Sequence, residues 1–133
     1  MIKLFNPTKP SNTVQAQFST NTTKNQCEVK GTPGSVVYAY CPKFLHPEEI
    51  ANAVLEFSKT HFNNQTNQIH VHIFNDKKIT PATSQEFNKM SDANLEKTHV
   101  AVYDLNKNTG YNEYQCKKKP SDKKWNNCSN LIK

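Results

Sequence analysis

The stretch "QIHVHIFND" alternates between apolar and polar residues in a way that is typical of a β-strand. Ile69, Val71 and Ile73 would point to one side of the strand, since neighbouring side chains in a strand face opposite ways. His70 and His72 would then share the other side. The pattern therefore predicts a strand with one apolar face and one face that carries imidazoles.

The same kind of pattern predicts four further strands. "CEVKGTPGSVVYAYC" contains two β-prone runs around a turn at Pro33-Gly34, a pair that suits the centre of a tight turn. "THVAVYDL" predicts a strand, and "YNEYQCKK" predicts its hairpin partner after the turn sequence "NKNTG". We expect these strands to form one sheet with the first.

Helical spacing is clearest in "HPEEIANAVLEFSKTHF". Pro47 suits the first position of a helix, and the apolar residues Ile50, Val54 and Phe57 recur along one side. "TPATSQEFNKM" predicts a weaker, shorter helix with Phe87 on its buried side, and "SDANLEKT" adds a helical turn. The chain therefore contains one long helix between the second and third predicted strands and one short helix between the third and fourth.

The order of elements predicts an α+β two-layer sandwich. We expect a mainly antiparallel sheet of four to five strands, with one long and one short helix on one face. Residues 1–25 are rich in Asn, Thr, Ser and Pro and predict a flexible tether, although "TVQAQFS" within them has the alternation of a short edge strand. Residues 26–133 are predicted to form a single α+β domain.

Four cysteines in a small polar chain indicate disulfides and an oxidising compartment. Three pairings are open to four cysteines. We favour Cys27–Cys41, because the predicted hairpin brings its two ends together. We also favour Cys116–Cys128, which lie on either side of the turn residues "PSD". The alternative is four reduced thiols in a cytosolic protein.

The chain is basic, with a formal net charge of +6, and all 17 of its basic residues are lysine. Arginine is the usual residue for bidentate recognition of guanine and phosphate, so its absence argues against sequence-specific nucleic-acid recognition. Loose electrostatic binding is still compatible with the charge. A lysine- and asparagine-rich composition is also what an AT-rich genome produces.

No run of residues approaches the roughly 20 apolar positions of a membrane span. "MIKLFNPTKP" does not have the form of a signal peptide, because a proline interrupts it early. We therefore expect Met1 to stand in place of a removed leader, with the protein periplasmic, at the cell surface or secreted.

A cluster of lysines near the carboxyl end, together with one tryptophan, is a candidate anion-binding loop. A phosphate backbone, an anionic lipid headgroup or an acidic protein would each suit it. The alternative is a solvated loop in which the tryptophan packs over the disulfide. The cluster consists of Lys117, Lys118, Lys119, Lys123, Lys124 and Trp125.

The histidines are the candidate chemical groups. If Val100 and Val102 face the helix, then strict alternation places His99 and Tyr103 outward, beside His70 and His72. Three converging imidazoles could bind a catalytic zinc ion or do acid–base chemistry without metal. The competing interpretation is a structural role, in which amphipathic histidine side chains cover a half-exposed face of the sheet.

A small hydrolase, metal-dependent or ribonuclease-like, is therefore one hypothesis, centred on His70, His72 and His99. The chain lacks the paired H-x-[Thr/Ser] pattern of two-histidine phosphoesterases, reading H-V-H and H-V-A instead. It also has no glycine-rich phosphate loop and no paired carboxylates at a useful spacing.

From "IHVHIFND" through "THVAVYDLNKNTGYNEYQC", the chain resembles small exported bacterial proteins of the lipoprotein type. In those proteins a strand ending in a Phe-Asp-like pair is followed by a helix and a closing hairpin of the form "Y..N..TG..E". The resemblance covers the second half of the chain. It implies export and a tethered N-terminus and implies no activity, and the cysteine that carries the lipid in such proteins is missing from this sequence.

The interpretation we favour from sequence is a non-enzymatic, extracytoplasmic binding module without a cofactor. Its partner would be another protein or an envelope surface component, with a non-specific anionic partner as the alternative. The predicted contact surfaces are the lysine cluster and an outward sheet face formed by Tyr38, His70, His72, Phe74, His99 and Tyr103.

Overall fold

A computed structural model describes residues 26–32, 34–61, 67–119 and 122–132. The predicted tether, and the edge strand predicted within it, lie outside the described residues. Six strands form one sheet, in the order β1-β2-β3-β4-β5-β6: β1 Glu28–Lys30, β2 Val36–Tyr40, β3 Gln68–Phe74, β4 His99–Asn106, β5 Tyr111–Cys116 and β6 Asn126–Asn127. The helices are α1 Pro47–His61, α2 Ser84–Asn88, α3 Asp92–Thr98 and a 3-10 turn Ser129–Leu131.

The sheet contains one parallel pair, β2 and β3, and its other neighbouring strands are antiparallel. Helix α1 makes the crossover connection that a parallel pair requires. The prediction of an α+β fold with a mainly antiparallel sheet is confirmed. The sheet has six strands instead of four to five because β6, at two residues, is too short to show any alternation in the sequence.

The main core lies between α1 and the sheet. The predicted helix stripe of Ile50, Val54 and Phe57 is buried, with exposures of 7%, 0% and 1%. It meets the apolar side of β3, where Ile69, Val71 and Ile73 are fully buried, in one core cluster. Each such side chain contributes about 1.5–3 kcal/mol by leaving water, so this contact fixes α1 on the sheet.

The start of α1 is fixed by hydrogen bonds between His46, which precedes the helix, and the first turn of the helix. The Glu49 carboxylate accepts a hydrogen bond of 2.9 Å from the backbone N–H of His46, whose carbonyl in turn accepts from the N–H of Ile50 at 3.0 Å. This satisfies backbone groups that a helix start otherwise leaves without partners. Pro47 occupies the first helical position, as predicted, where its missing N–H costs nothing.

A β-bulge interrupts the pairing of β4 with β3. Phe74 pairs with His99 and Ile73 pairs with Ala101, so Val100 is an extra residue between the two pairs. Val100 and Ala101 both belong to the core on the α1 side. Because of this extra residue, the positions of β4 after the bulge face the side opposite to the one that strict alternation from His99 predicts.

The bulge overturns part of the predicted outward face. Tyr103 pairs with Val71, is 2% exposed and lies in the core, so the prediction that it faces outward is wrong. Strict alternation fails here because one inserted residue exchanges inward and outward positions along the rest of a strand.

The short helix α2 lies on the opposite face of the sheet from α1. Its Phe87 packs against His72 and Tyr38, with ring centroids 4.7 and 5.5 Å apart. The expectation that both helices share one face is therefore wrong for α2. The outer face carries aromatic side chains that Phe87 contacts, and Phe87 is half-buried there.

Both favoured disulfide pairings are confirmed. The bond Cys27–Cys41 closes the open end of the β1–β2 hairpin. The bond Cys116–Cys128 ties the end of β5 to the segment that follows β6. Bridges over loops of this length stabilise a fold by about 3 kcal/mol each in the chain-entropy account.

We predict that Gly31→Ala destabilises the fold by about 3 kcal/mol. Gly31 has a φ of +73°, and an added Cβ would lie 2.2 Å from the Ala82 carbonyl oxygen. The expected loss combines the cost of the left-handed conformation with that of the clash. The free energy of unfolding in urea measures it.

The matched controls are Gly110→Ala and Gly34→Ala. Gly110 has a φ of +77° but no atom within 4 Å of an added Cβ, so we expect a loss of about 1 kcal/mol from conformation alone. Gly34 has the same open space, and its variant should be close to neutral. Equal losses at positions 31 and 110 would contradict the close contact with Ala82.

Candidate functional site

The outer face of the sheet brings together three of the predicted histidines. Tyr38 of β2 pairs with His72 of β3, and Phe74 pairs with His99 of β4. Because His70 is two residues before His72 on the same strand, it lies on this face as well. The bulge, and not simple alternation, keeps His99 on this side.

His72 and His99 form a direct hydrogen bond. The Nδ1 atom of His72 lies 3.0 Å from Nε2 of His99. One ring nitrogen has to donate and the other has to accept, which neutral imidazoles do when they adopt complementary tautomers. The ring of His70 is 4.6 Å from that of His72, centroid to centroid, and completes a row of three.

Aromatic side chains cover this pair. Phe87 lies 4.7 Å from the His72 ring, Phe74 stacks at 4.7 Å on the His99 ring, and Trp125 meets His99 edge-on at 5.2 Å. These contacts form a half-buried aromatic cluster on the side of the sheet opposite α1. Phe74 is 0% exposed and Tyr38 is 5% exposed, so the prediction of an open contact face that includes these two residues is wrong.

Burial controls the charge of the two inner histidines. Burial lowers the pKa of His72 to about 3, helped by the nearby His99 and His70. Burial also lowers the pKa of His99 to about 4, with smaller contributions from the charge of Lys117 and from His70. Both imidazoles are therefore neutral near pH 7 and act as hydrogen-bonding and packing groups.

His70 is the accessible member of the row. Its Nδ1 lies 3.3 Å from Oδ2 of Asp104, and each side chain is about 30% exposed. The other carboxylate oxygen of Asp104 is buried without a hydrogen-bond partner. A carboxylate that orients an imidazole is one part of a general-base arrangement.

The remaining parts of the predicted catalytic or zinc site do not converge on His70. The donor atom of His70 points to Asp104, while those of His72 and His99 point to each other. Across the described ranges, no group of three or more His, Cys, Asp or Glu residues could hold a metal ion. Zinc binding and hydrolysis at His70, His72 and His99 stay hypotheses.

The structure divides the predicted lysine cluster in two. Lys117 is 6% exposed, and its Nζ donates to the Glu96 carbonyl at 3.0 Å and lies 5.0 Å from the centre of the Trp125 ring. Burial lowers its pKa, opposed by the charges of Glu96 and Asp122. Lys117 and Trp125 therefore hold the loop onto the domain, and the exposed charges are Lys118, Lys119, Lys123 and Lys124.

A cleft lies where β2 and β3 end and α1 begins. We name it the Asn75 cleft, after the residue that directly follows β3. It contains about 370 Å³ not filled by protein atoms, part of it open to solvent, but only about 30 Å³ for the centres of water-sized groups. It is lined by Cys41, Pro42, Lys43, Leu45, Pro47, Ile50, Asn75, Val100, Cys116, Lys117 and Lys118.

Asn75 is the functional candidate that sequence reasoning missed. The residue is 4% exposed, and its amide nitrogen and oxygen are both buried without a hydrogen-bond partner in the described part of the chain. A buried amide without partners is costly, so natural proteins seldom leave one. The available signal was its position directly after the carboxyl end of a strand, where ligands bind in sheets with parallel strands.

The surroundings of the Asn75 cleft are mixed apolar and cationic. Leu45, Ile50 and Val100 form its apolar wall, and Lys43 and Lys118 are exposed beside it. An open groove beyond Lys43 continues the surface. That groove is lined by Tyr40, Pro42, Lys43, Phe44, Asn75, Asp76, Lys77 and Lys78.

Comparisons of the chain with protein-family models, with curated proteins and with solved structures find no match. In the part of the chain that the structure describes, no helix combines the length and the apolarity needed to cross a bilayer. Function therefore has to be inferred from the geometry of the described residues.

We predict that the fold loses stability in acid because of the half-buried His72–His99 pair. In the unfolded chain both histidines have the ordinary imidazole pKa of about 6.5, whereas in the folded protein burial lowers the pKa of His72 to about 3 and that of His99 to about 4. Between pH 6.5 and about pH 3 the unfolded state therefore binds more protons than the folded state. The contribution of the pair to the free energy of unfolding is complete well above pH 6.5 and decreases as the pH falls. The slope should reach about 2–3 kcal/mol per pH unit, from two groups at about 1.4 each.

The variant His99→Gln tests this assignment. It removes one titrating group while retaining an amide that can pair with His72, so the slope between pH 6 and 4.5 should fall by roughly half. Urea unfolding at a series of pH values gives the slope. His46→Gln is the control, since His46 is exposed and outside the cluster. An unchanged slope in His99→Gln would contradict the account.

Proposed function

We propose that this protein is an extracytoplasmic, non-enzymatic binding module that holds an acidic polypeptide segment of a protein or envelope partner. The observation that carries the proposal is a group of exposed lysines, of which Lys43 and Lys118 line the Asn75 cleft and the others follow Lys118 along the chain. Within the described part of the chain, none of these side chains forms an ion pair: Lys43, Lys118, Lys119, Lys123 and Lys124.

Lysines that have no carboxylate partner within the domain favour an anionic binding partner. By contrast Lys77, which lines the neighbouring groove, forms an ion pair with Glu28 at 3.2 Å. The exposed lysines of the proposed site have no such partner among the described residues and project into solvent. Their charges attract an acidic surface over roughly 8 Å at physiological salt. Such charges add specificity and association rate more than affinity, so a second, uncharged contact is needed.

The state of Trp125 favours a polypeptide over nucleic acid or a membrane. A free aromatic ring beside lysines would stack on bases or sit at a bilayer surface. Here the ring lies against His99 and under the Lys117 ammonium group, so its contacts are already made inside the domain. The absence of arginine also leaves no bidentate group for phosphate or guanine.

The two disulfides support the proposed compartment. Disulfides of this kind persist in oxidising environments such as the periplasm or the cell exterior and are rare in the cytosol. The resemblance to exported lipoprotein-type proteins agrees with this placement.

A small hydrolase is the second candidate function, and the contact between His70 and Asp104 favours it. This pair would supply an oriented base on the exposed edge of the imidazole row. Turnover of a phosphodiester or ester probe that disappears in both His70→Gln and Asp104→Asn would support the hydrolase. The binding-module proposal requires that both variants keep the affinity for an acidic polypeptide.

The test of the proposal is binding to poly-L-glutamate. We expect the triple variant Lys118→Gln, Lys123→Gln, Lys124→Gln to bind about tenfold more weakly than the native chain. Three exposed ion pairs at about 0.5 kcal/mol each give this value. The affinity should also fall between about 50 and 200 mM salt because the contacts are solvent-exposed. Isothermal titration calorimetry measures both effects.

The matched control removes three exposed lysines from other parts of the surface: Lys59→Gln, Lys89→Gln, Lys97→Gln. It changes the net charge equally and should keep most of the affinity. Equal losses in the two triple variants would show that only net charge matters and would overturn the proposed site. Tighter binding to oligo-dT or to phosphatidylglycerol vesicles than to poly-L-glutamate would replace the polypeptide with nucleic acid or membrane.

A further inference from the structure

Phe44 is the most exposed large apolar residue in the described part of the chain. It is 69% exposed, and Tyr111, at 49%, is the other large apolar residue exposed there. Aromatic side chains that a partner buries supply much of the affinity of protein interfaces. A single exposed apolar residue is ordinary on a protein surface, so what matters is how the chain holds Phe44 and what surrounds it.

A short and firmly attached loop holds Phe44. The N–H of Leu45 donates to the Pro42 carbonyl at 3.2 Å and closes a turn around Phe44. On the side of β2, the N–H of Cys41 donates to the Phe74 carbonyl at 2.8 Å, and a disulfide bond holds the same cysteine. On the other side, α1 begins shortly after the turn. Because the loop is fixed at both ends, a partner that binds it has little loop entropy to remove.

Phe44 lines the open groove beyond Lys43, together with Tyr40 and Pro42. The groove contains about 870 Å³ not filled by protein atoms, part of it open to solvent, against about 370 Å³ in the Asn75 cleft. Two rings and a proline offer a surface on which another ring can pack, since aromatic rings attract one another in offset and edge-on arrangements. The groove therefore suits an aromatic side chain.

The charges along the groove are mainly positive. Lys43, Lys77 and Lys78 line it and are exposed. Lys77 pairs with Glu28 at 3.2 Å, whereas Lys43 and Lys78 form no ion pair within the described ranges. Carboxylates next to a bound aromatic residue would have these two lysines as partners. Lys43 also lines the Asn75 cleft, so the groove continues the surface that the proposed function assigns to an acidic polypeptide.

The negative charges in the groove favour a polypeptide over nucleic acid. An exposed ring beside lysines is also a stacking surface for a base. However, the carboxylate of Asp76 lines the groove, and Glu28 pairs with Lys77 there. A phosphate backbone carries a charge at every nucleotide and needs a continuous positive track. An acidic polypeptide can instead place its carboxylates only where the unpaired lysines stand.

We propose that the groove beside Phe44 binds an aromatic side chain that lies between acidic residues of the partner polypeptide, an inference that rests on the proposed function and specifies its partner. The aromatic ring packs against Phe44 and Tyr40. The neighbouring carboxylates pair with Lys43 and Lys78. The ring supplies the uncharged contact that charged surfaces need for affinity, and the lysines supply attraction and association rate.

The experiment uses the full chain, labelled with ¹⁵N, and two peptides of equal charge. The first is acetyl-Glu-Glu-Trp-Glu-Glu-amide, and the second has Ala in place of Trp. We expect the Trp peptide to bind about tenfold more tightly, because ring packing and the apolar area that it buries contribute on this scale. The backbone N–H resonance of Phe44 should shift with the Trp peptide, since a bound indole ring would lie beside it.

The variant Phe44→Ser tests the residue itself. It leaves the net charge unchanged and alters an exposed position, so the fold should be retained. The preference for the Trp peptide should fall from about tenfold to about twofold or less, because Tyr40 alone remains as a ring. Tyr111→Ser removes the other exposed aromatic residue and is the matched control, which should keep the preference. Phe44→Tyr retains a ring and should keep it as well.

The outcomes separate the two proposals. Equal binding of the Trp and Ala peptides by the native chain, or a Trp preference that Phe44→Ser leaves unchanged, would overturn this inference. The lysine-dependent binding of poly-L-glutamate would stand in that case. Loss of oligo-dT binding in Phe44→Ser, with the affinity for the Trp peptide unchanged, would assign the groove to nucleic acid.

The triple variant Lys118→Gln, Lys123→Gln, Lys124→Gln retains Phe44, Lys43 and Lys78 and therefore isolates the groove. A Trp preference that persists in this variant would support the groove. If the two triple lysine variants also bind poly-L-glutamate equally, the lysine site of the proposed function is overturned while the groove stands.

Discussion

The packing of α1 on the apolar face of the sheet is the contact on which the rest of the molecule depends. Two consecutive parallel strands need a crossover, and the buried stripe of α1 provides it by covering the apolar side of both strands. The carboxyl ends of both strands and the start of α1 then lie at the same edge. Asn75 and the loop that contains Lys43 meet there because the topology requires it.

The bulge at Val100 links this edge to the opposite face of the sheet. By inserting one residue, β4 places Val100 in the wall of the Asn75 cleft while His99 stays on the outer face. The rings of His72 and His99 are then partly covered by Phe87 and Trp125, and Lys117 contacts Trp125. The aromatic layer is therefore a support for the lysine loop, since it fixes the residues from which the loop extends.

Structural features that rest on a pattern along a whole helix or strand could be predicted from the sequence. Features that depend on the position of a single residue could not. The apolar stripe of α1, the alternation in β3 and the spacing of the cysteines each predicted their structure correctly. Tyr103 was misplaced because a bulge leaves no mark in an alternating pattern. Asn75 is one asparagine among many, and only the parallel pairing of its strand gives its position a meaning.

The central claim is that the edge with the Asn75 cleft is the binding surface, and protection of lysines from acetylation tests it most directly. The chain would be acetylated briefly with and without saturating poly-L-glutamate, and each lysine quantified by peptide mass spectrometry. The account predicts protection at Lys43, Lys118 and the exposed lysines that follow, with Lys59 and Lys89 unchanged. Uniform protection, or protection centred on Lys59 and Lys89, would contradict it.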